Sequence, residues 1–194
     1  MATPATMSSK ALARKIRKLE ARLVRQHQKL GELKRRRPPE QVANYTLAGP
    51  TGPVKLSALF GSHKDLIVVH NMGRRCPYCT MWADGYNGLR PHLENRAAFA
   101  VVSPDSLKVQ QAFAQSRGWK FRMLSGKDSA FAADMGFMDG RQSLPGVSAF
   151  RRKGNKIYRI ASAPFGPYDP FCATWHFFDL LADGVGDWSP KFQY

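Results

Sequence analysis

The chain is 194 residues long, 43% hydrophobic, and carries a formal charge of +16 with only three cysteines. That length suits one domain with an appendage, able to bury a core without cross-links. No run approaches the roughly 18 apolar residues of a membrane span, and the opening MATPATMSSKALARK lacks the apolar centre of a secretory signal. The expectation is a cytoplasmic protein without membrane contact, where thiols stay reduced and a close cysteine pair points to catalysis or metal rather than to a structural staple.

The charge is concentrated at the start. Twelve Lys and Arg and two Glu precede Pro38, a net +10, which leaves +6 for the rest of the chain. From about Ser9 to Arg36, Leu12, Ile16, Leu19, Leu23, Leu30 and Leu33 step by fours and threes, with Gln26 in the one polar slot. This is a helix with a heptad-like stripe, ended by Pro38 and Pro39. The preferred reading packs the stripe on the protein's own domain or on a second copy, a possible homodimer, with the charges solvated. A nucleic-acid contact comes second, since such charge density attracts polyanions, and a mitochondrial transit peptide third. Residues 1–39 are thus expected as a basic helical arm and residues 40–194 as the globular domain.

The domain reads in chain order as strands and helices in alternation. NYTLAGPTGPVKLSALFG, from Asn44, predicts two short strands around a Gly-Pro turn and then one turn of helix. DLIVVHNM is a continuous apolar run suited to a strand buried on both faces. After the cysteines comes a helical segment carrying Gly85, Gly88 and Pro91, expected to bend near the proline. AAFAVVS is a second buried strand, DSLKVQQAFAQSRG a helix opened by Asp105 or Ser106 and closed by Gly118, and KFRMLSG a shorter strand. VSAFRRKGNKIYRIAS reads as a hairpin through Gly154 and Asn155. DPFCATWHFFDLLADG reads as a closing helix capped by Asp169 and stopped by Gly184. The class is α/β, a mixed sheet flanked by helices and preceded by the long basic helix.

In that frame Cys76 and Cys79 lie directly after a central strand, at the start of a helix. A thiolate there meets unpaired backbone N–H groups and the positive end of the helix dipole, which lower its pKa. Arg74 and Arg75 add positive charge just before it, and Pro77 fits the first helical turn. Cys76 is therefore the expected nucleophile and Cys79 the resolving thiol.

These segments, in this order, resemble thioredoxin-like proteins of the redoxin type. From RKIRKLEARL through CPYCTMWADGYNG and PGVSAF to FCATWHFFDLL and DWSPKFQY, the chain resembles a bacterial thioredoxin-like family described as predicted dithiol–disulfide oxidoreductases. The resemblance implies thiol–disulfide exchange without a cofactor, on a protein or small-molecule disulfide, with a cellular dithiol as reductant. It also implies that Pro145 matches the cis-proline that sits beside the disulfide and offers backbone to a bound polypeptide. The sequence departs from thioredoxin in having Arg75, not Trp, before the first cysteine. It departs from a peroxiredoxin in lacking a Thr three residues before either cysteine; Gly73 and Cys76 hold those places. A thiol-dependent peroxidase remains the alternative enzyme.

Cys172 and His176, four apart on the expected last helix, would with Cys76 and Cys79 have the ligand types of a Cys₃His zinc site. A zinc-stabilised or redox-sensing binding module is thus the non-enzyme alternative, although the redox reading assigns no metal and takes Cys172 as a small buried hydrophobe. His70 is expected as a satisfied core histidine. Trp119, Trp175, Phe177 and Phe178 are expected to pack, and Tyr78 and Trp82 to line a substrate groove beside the thiols.

Overall fold

The computed structural model describes residues 8–194. The first seven residues of the expected arm lie outside the described residues. The chain divides after Pro38 into two compact units, Met1–Pro38 and Pro39–Tyr194. The first holds α1, Ser9–Arg36, opened by the Ser8 side chain, which accepts from the Ala11 N–H at 3.3 Å. Lys34, Arg35 and Arg36 occupy its last turn, where cations meet the negative end of the helix dipole. Arg37 is extended, as the residue before a proline must be. Every residue of the apolar stripe is exposed, from Leu12 at 47% to Leu23 at 61%.

The second unit carries β1 (Glu40–Val42), β2 (Thr46–Gly49), β3 (Gly52–Lys55), a 3₁₀ turn at Leu56–Phe60 and β4 (Asp65–His70). Then come α2 (Pro77–Arg96), β5 (Ala98–Ser103), α3 (Leu107–Ser116), β6 (Arg122–Ser125) and α4 (Phe131–Asp134). The small hairpin of β7 (Met138–Asp139) and β8 (Gln142–Ser143), the long hairpin of β9 (Gly146–Lys153) and β10 (Lys156–Pro164), and α5 (Ala173–Phe178) complete it. The main sheet runs β1-β10-β9-β4-β5-β6-β2-β3. β4, β5 and β6 are parallel at its centre, joined by the α2 and α3 crossovers, and every other pairing is antiparallel. This is the expected thioredoxin-like mixed sheet flanked by helices.

The central strands are buried on both faces, so their side chains divide with period two between two cores. Leu66 and Val68 of β4 and Ala100 and Val102 of β5 join Leu47, Phe60, Phe131 and Phe150 on one face. Val69, Phe99 and Val101 join Trp82, Ala83 and Tyr86 of α2 on the other, with Phe121 and Trp175. Each fully buried aromatic or aliphatic side chain contributes about 1.5–3 kcal/mol. α3 is tied on by buried Gln110, whose amide donates to the Ser103 hydroxyl at 2.9 Å and the Leu124 carbonyl at 2.8 Å. Asp84 of α2 holds the far end of α3 by an ion pair with Arg117 and accepts from Trp119 Nε1 at 2.8 Å.

α2 runs in one span from Pro77 to Arg96 with Pro91 inside it. Two expectations change. The closing helix is only Ala173–Phe178 and is not capped by Asp169. That carboxylate is occupied by the N–H groups of Gly166 and Phe171, which fold a turn ahead of it. Phe177, on this short helix, is 68% exposed and does not belong to the core. No helix among the described residues is long and apolar enough to cross a membrane.

Candidate active site: the Cys76–Cys79 pair

The loop between β4 and α2 is held by a small set of polar contacts. The Asn71 N–H pairs with the Val102 carbonyl at 2.9 Å, extending the β4–β5 register by one residue. The Asn71 side-chain oxygen accepts from Gly73 N–H at 2.7 Å, which turns the chain sharply. Gly73 sits at φ +95°, and a Cβ there would lie 2.9 Å from the Asp105 carboxylate. The space is taken because Asp105 accepts from the Arg74 N–H at 2.7 Å. A further turn, Cys76 N–H to the Gly73 carbonyl at 3.1 Å, delivers Cys76 to the head of α2.

Cys76 is the N-cap of α2. Its backbone is extended, and its sulfur accepts from the Cys79 N–H at 3.0 Å, the role a serine or aspartate oxygen plays in most caps. Pro77 occupies the first turn, where no N–H is needed. The Cys76 carbonyl accepts from both the N–H and the hydroxyl of Thr80, each at 3.0 Å. The sulfur is thus fixed at the positive end of a helix of 20 residues.

The two thiols separate electrostatically. The Cys79 S–H donates to the Cys76 sulfur and is the main reason the Cys76 pKa falls to about 7; the N–H groups of Cys79 and Tyr78 add to it, and partial burial opposes. The same bond holds the Cys79 proton in place, and burial with the neighbouring Cys76 charge drives the Cys79 pKa strongly upward. At neutral pH the pair holds one proton on Cys79 and a large share of thiolate on Cys76. Cys76 is partly exposed, whereas Cys79 is buried.

Arg74 and Arg75 do not fill the expected tuning role. Both are exposed, and the groups that lower the Cys76 pKa are the thiol and amides of the helix start, not the guanidiniums. The peptide before Pro145 is trans, as is every peptide among the described residues. Pro145 does stand at the thiol end of the sheet, since Gly146 is paired with His70. Its carbonyl, however, is already taken by the Phe165 N–H at 3.0 Å. Trp82 is buried against Phe165, rings 5.5 Å apart, and forms part of the floor rather than a groove wall. Tyr78 remains exposed beside the thiols, stacked at 5.9 Å on Trp175.

Cys172 is buried among the aromatic side chains that cover α2. It is the N-cap of α5 with extended backbone, so it does not share a helical face with His176, whose Nε2 meets the Asp169 carbonyl at 3.2 Å. Among the described residues no three His, Cys, Asp or Glu converge on a metal position, so the Cys₃His arrangement does not form. Asn71 was not singled out from sequence, and Gly73 and Asp105 were noted there in other roles, not as the groups that shape the thiol loop. The N-M-G spelling of an Asx turn was the available signal.

The solved structures most like this chain include reduced Prx3 from Vibrio vulnificus, at 20% identity and TM-score 0.56, covering 68% of this chain and 88% of that one. Peroxidoxin BcpB from Mycobacterium tuberculosis matches at 23% identity and TM-score 0.52, covering 65% of this chain and 84% of that one. A peroxiredoxin Q structure from Xanthomonas campestris matches at 21% identity and TM-score 0.53, covering 61% and 78%. At such identities the likeness establishes the thioredoxin-like fold. A search of curated proteins found no match. With a family model matching residues 2–192, the chain belongs to the family described as "Bacterial protein of unknown function (DUF899)".

Proposed function

We propose that this protein is a dithiol–disulfide oxidoreductase working through Cys76 and Cys79. The observation that supports it is the split pair itself: a partly exposed sulfur at a helix N-cap with its pKa lowered to about 7, hydrogen-bonded by a buried thiol that retains its proton. The Cys76 thiolate attacks one sulfur of a substrate disulfide, forming a mixed disulfide and expelling the other sulfur as a thiolate. Cys79 then gives up its proton, by way of solvent, to the departing sulfur and attacks the Cys76 sulfur. Two electrons pass to the substrate, leaving one substrate thiol, one substrate thiolate that takes its proton from solvent, and a Cys76–Cys79 disulfide for a cellular dithiol to reduce. No cofactor enters. Tyr78 is the exposed aromatic placed to meet the substrate.

Trapping tests the roles. Cys79→Ser accumulates a covalent adduct with a model disulfide, and Cys76→Ser does not. Equal trapping by both variants overturns the assignment, and failure of the wild-type protein to reduce insulin or a model disulfide overturns the activity.

A thiol-dependent peroxidase is the second reading, favoured by the likeness in fold to peroxiredoxins. Cys76 would attack the peroxide O–O bond, and Cys79 would condense with the resulting sulfenic acid, releasing water. Three residues before Cys76, Gly73 offers no side-chain donor for the peroxide. Catalytic consumption of peroxide in the presence of a dithiol decides between the two.

For the arm we propose association with a second copy through the exposed stripe, which soluble monomers rarely leave in water. Deleting residues 1–37 lowers the mass in solution if this is right; identical monomers refute it. DNA retention that fades steeply with salt and disappears with the arm would instead support a polyanion contact.

A further inference from the structure

The stripe of α1 keeps one heptad frame from end to end. Ile16, Leu23 and Leu30 take the a positions, and Leu12, Leu19, Gln26 and Leu33 the d positions, over about three heptads. That is enough repeat to specify a coiled-coil seam. Its apolar members are exposed along their whole length.

The seam is interrupted at Gln26, and this residue discriminates between the ways two copies can align. In a parallel, in-register pair Gln26 faces the partner's Gln26, and each amide offers a donor and an acceptor to the other. In antiparallel alignments that cover most of the seam, a positions meet d positions. Gln26 then faces one of the partner's apolar a residues, and two amides are buried without a partner. A single polar residue in a seam fixes register in this way.

The flanking charges agree. Lys15, Arg22 and Lys29 hold the g positions and Ala13, Glu20, His27 and Lys34 the e positions. None of these charged residues enters an ion pair within the chain among the described residues. In a parallel pair each g residue meets the partner's e residue in the next heptad. Lys15 therefore meets the partner's Glu20, twice by symmetry; Arg22 meets the partner's His27, and Lys29 opposes the partner's Lys34 at the far end. Antiparallel helices set g against g, which brings Lys and Arg only against Lys and Arg.

We propose that the arm forms a parallel, in-register, two-stranded coiled coil with a second copy of this chain, with Gln26 paired to the partner's Gln26 and Lys15 to the partner's Glu20. This rests on the association proposed above for the arm and adds its orientation and register. Both chains leave such a coil at the same end, after Arg36.

The test is a charge exchange in the full chain. Lys15→Glu and Glu20→Lys each place like charges opposite one another in their own homodimers, and mixing the two variants restores opposite charges at both contacts. With one variant ¹⁵N-labelled, native mass spectrometry counts heterodimers against homodimers, and their ratio rises from parity to about ten. Lys18→Glu mixed with Glu32→Lys makes the same changes of net charge at c positions, away from the seam, and stays near parity. Parity in the first mixture, or an equal excess of heterodimer in the second, overturns the alignment while leaving association standing. Wild-type protein that is monomeric at every concentration overturns both.

Discussion

Replacing Cys79 by Ala removes the thiol that donates to the Cys76 sulfur and leaves the residue-79 amide and the helix in place. That S–H bond is the largest of the influences lowering the Cys76 pKa from its ordinary value to about 7, and burial opposes them. Without it, the Cys76 pKa climbs back toward its ordinary value. For a full return of about two units, the thiolate fraction at pH 7 falls from about one half to about one hundredth, roughly 50-fold. The more basic thiolate is also the better nucleophile, by roughly eightfold over two units at a Brønsted slope of about 0.45. Alkylation by iodoacetamide at pH 7 therefore slows only about sixfold, and near pH 10 the variant overtakes the wild type by about sevenfold. The sign follows from the acid: below its pKa Cys76 is an inert thiol, and raising the pKa moves the whole reactive range upward. The assay is the pH–rate profile of Cys76 alkylation in Cys172→Ser protein with and without Cys79→Ala. Profiles that share a midpoint near pH 7 and do not cross would refute the thiol–thiolate bond as the cause.

Arg74→Ala with Arg75→Ala leaves the midpoint of that profile where it is, because neither guanidinium is among the groups that set it; a clear rise would restore them as the tuning charges. Gly73→Ala forces a Cβ to within 2.9 Å of the Asp105 carboxylate at a φ of +95°, so it costs about 1–3 kcal/mol in thermal unfolding and slows Cys76 alkylation. Wild-type stability in this variant would mean that Asp105 swings aside freely. Cys172→Ser places a hydroxyl among aromatic rings and destabilises by about 1–3 kcal/mol, with disulfide turnover unchanged at a temperature where the protein is folded. Lost turnover in folded Cys172→Ser protein would give that thiol a part in the chemistry.

The parts of the fold legible in the sequence were those whose signal is local. DLIVVHNM and AAFAVVS are apolar without interruption because β4 and β5 are covered on both faces, and Gly154 with Asn155 spells the β9–β10 turn. Ser8 and the arginines before Pro38 mark the ends of α1 as clearly. β1 was not legible, because three residues gain their structure from a distant partner: Glu40 is paired with Arg159 in register and by ion pair. α5 was overread because its apolar residues answer to a cluster of rings, Trp175 against Tyr78, Tyr168 and Trp188, and not to a helical stripe. At the site, the motif placed the reactive sulfur at a helix start. Adjacency in sequence overweighted Arg74 and Arg75, whose exposed side chains leave the tuning to Cys79.

On the proposed chemistry, the cap at the head of α2 also biases the redox equilibrium of the pair. A charged sulfur accepts the Cys79 N–H well, whereas the same atom in a neutral disulfide is a poor acceptor, so the start of the helix is better satisfied when the protein is reduced. An N-cap contributes about 0.5–2 kcal/mol, which at about 30 mV per 1.4 kcal/mol raises the reduction potential of the pair by roughly 10–40 mV. If the pair exchanges disulfides as proposed, the folded scaffold favours the dithiol and makes the Cys76–Cys79 disulfide a stronger oxidant than the same two cysteines in an unfolded chain.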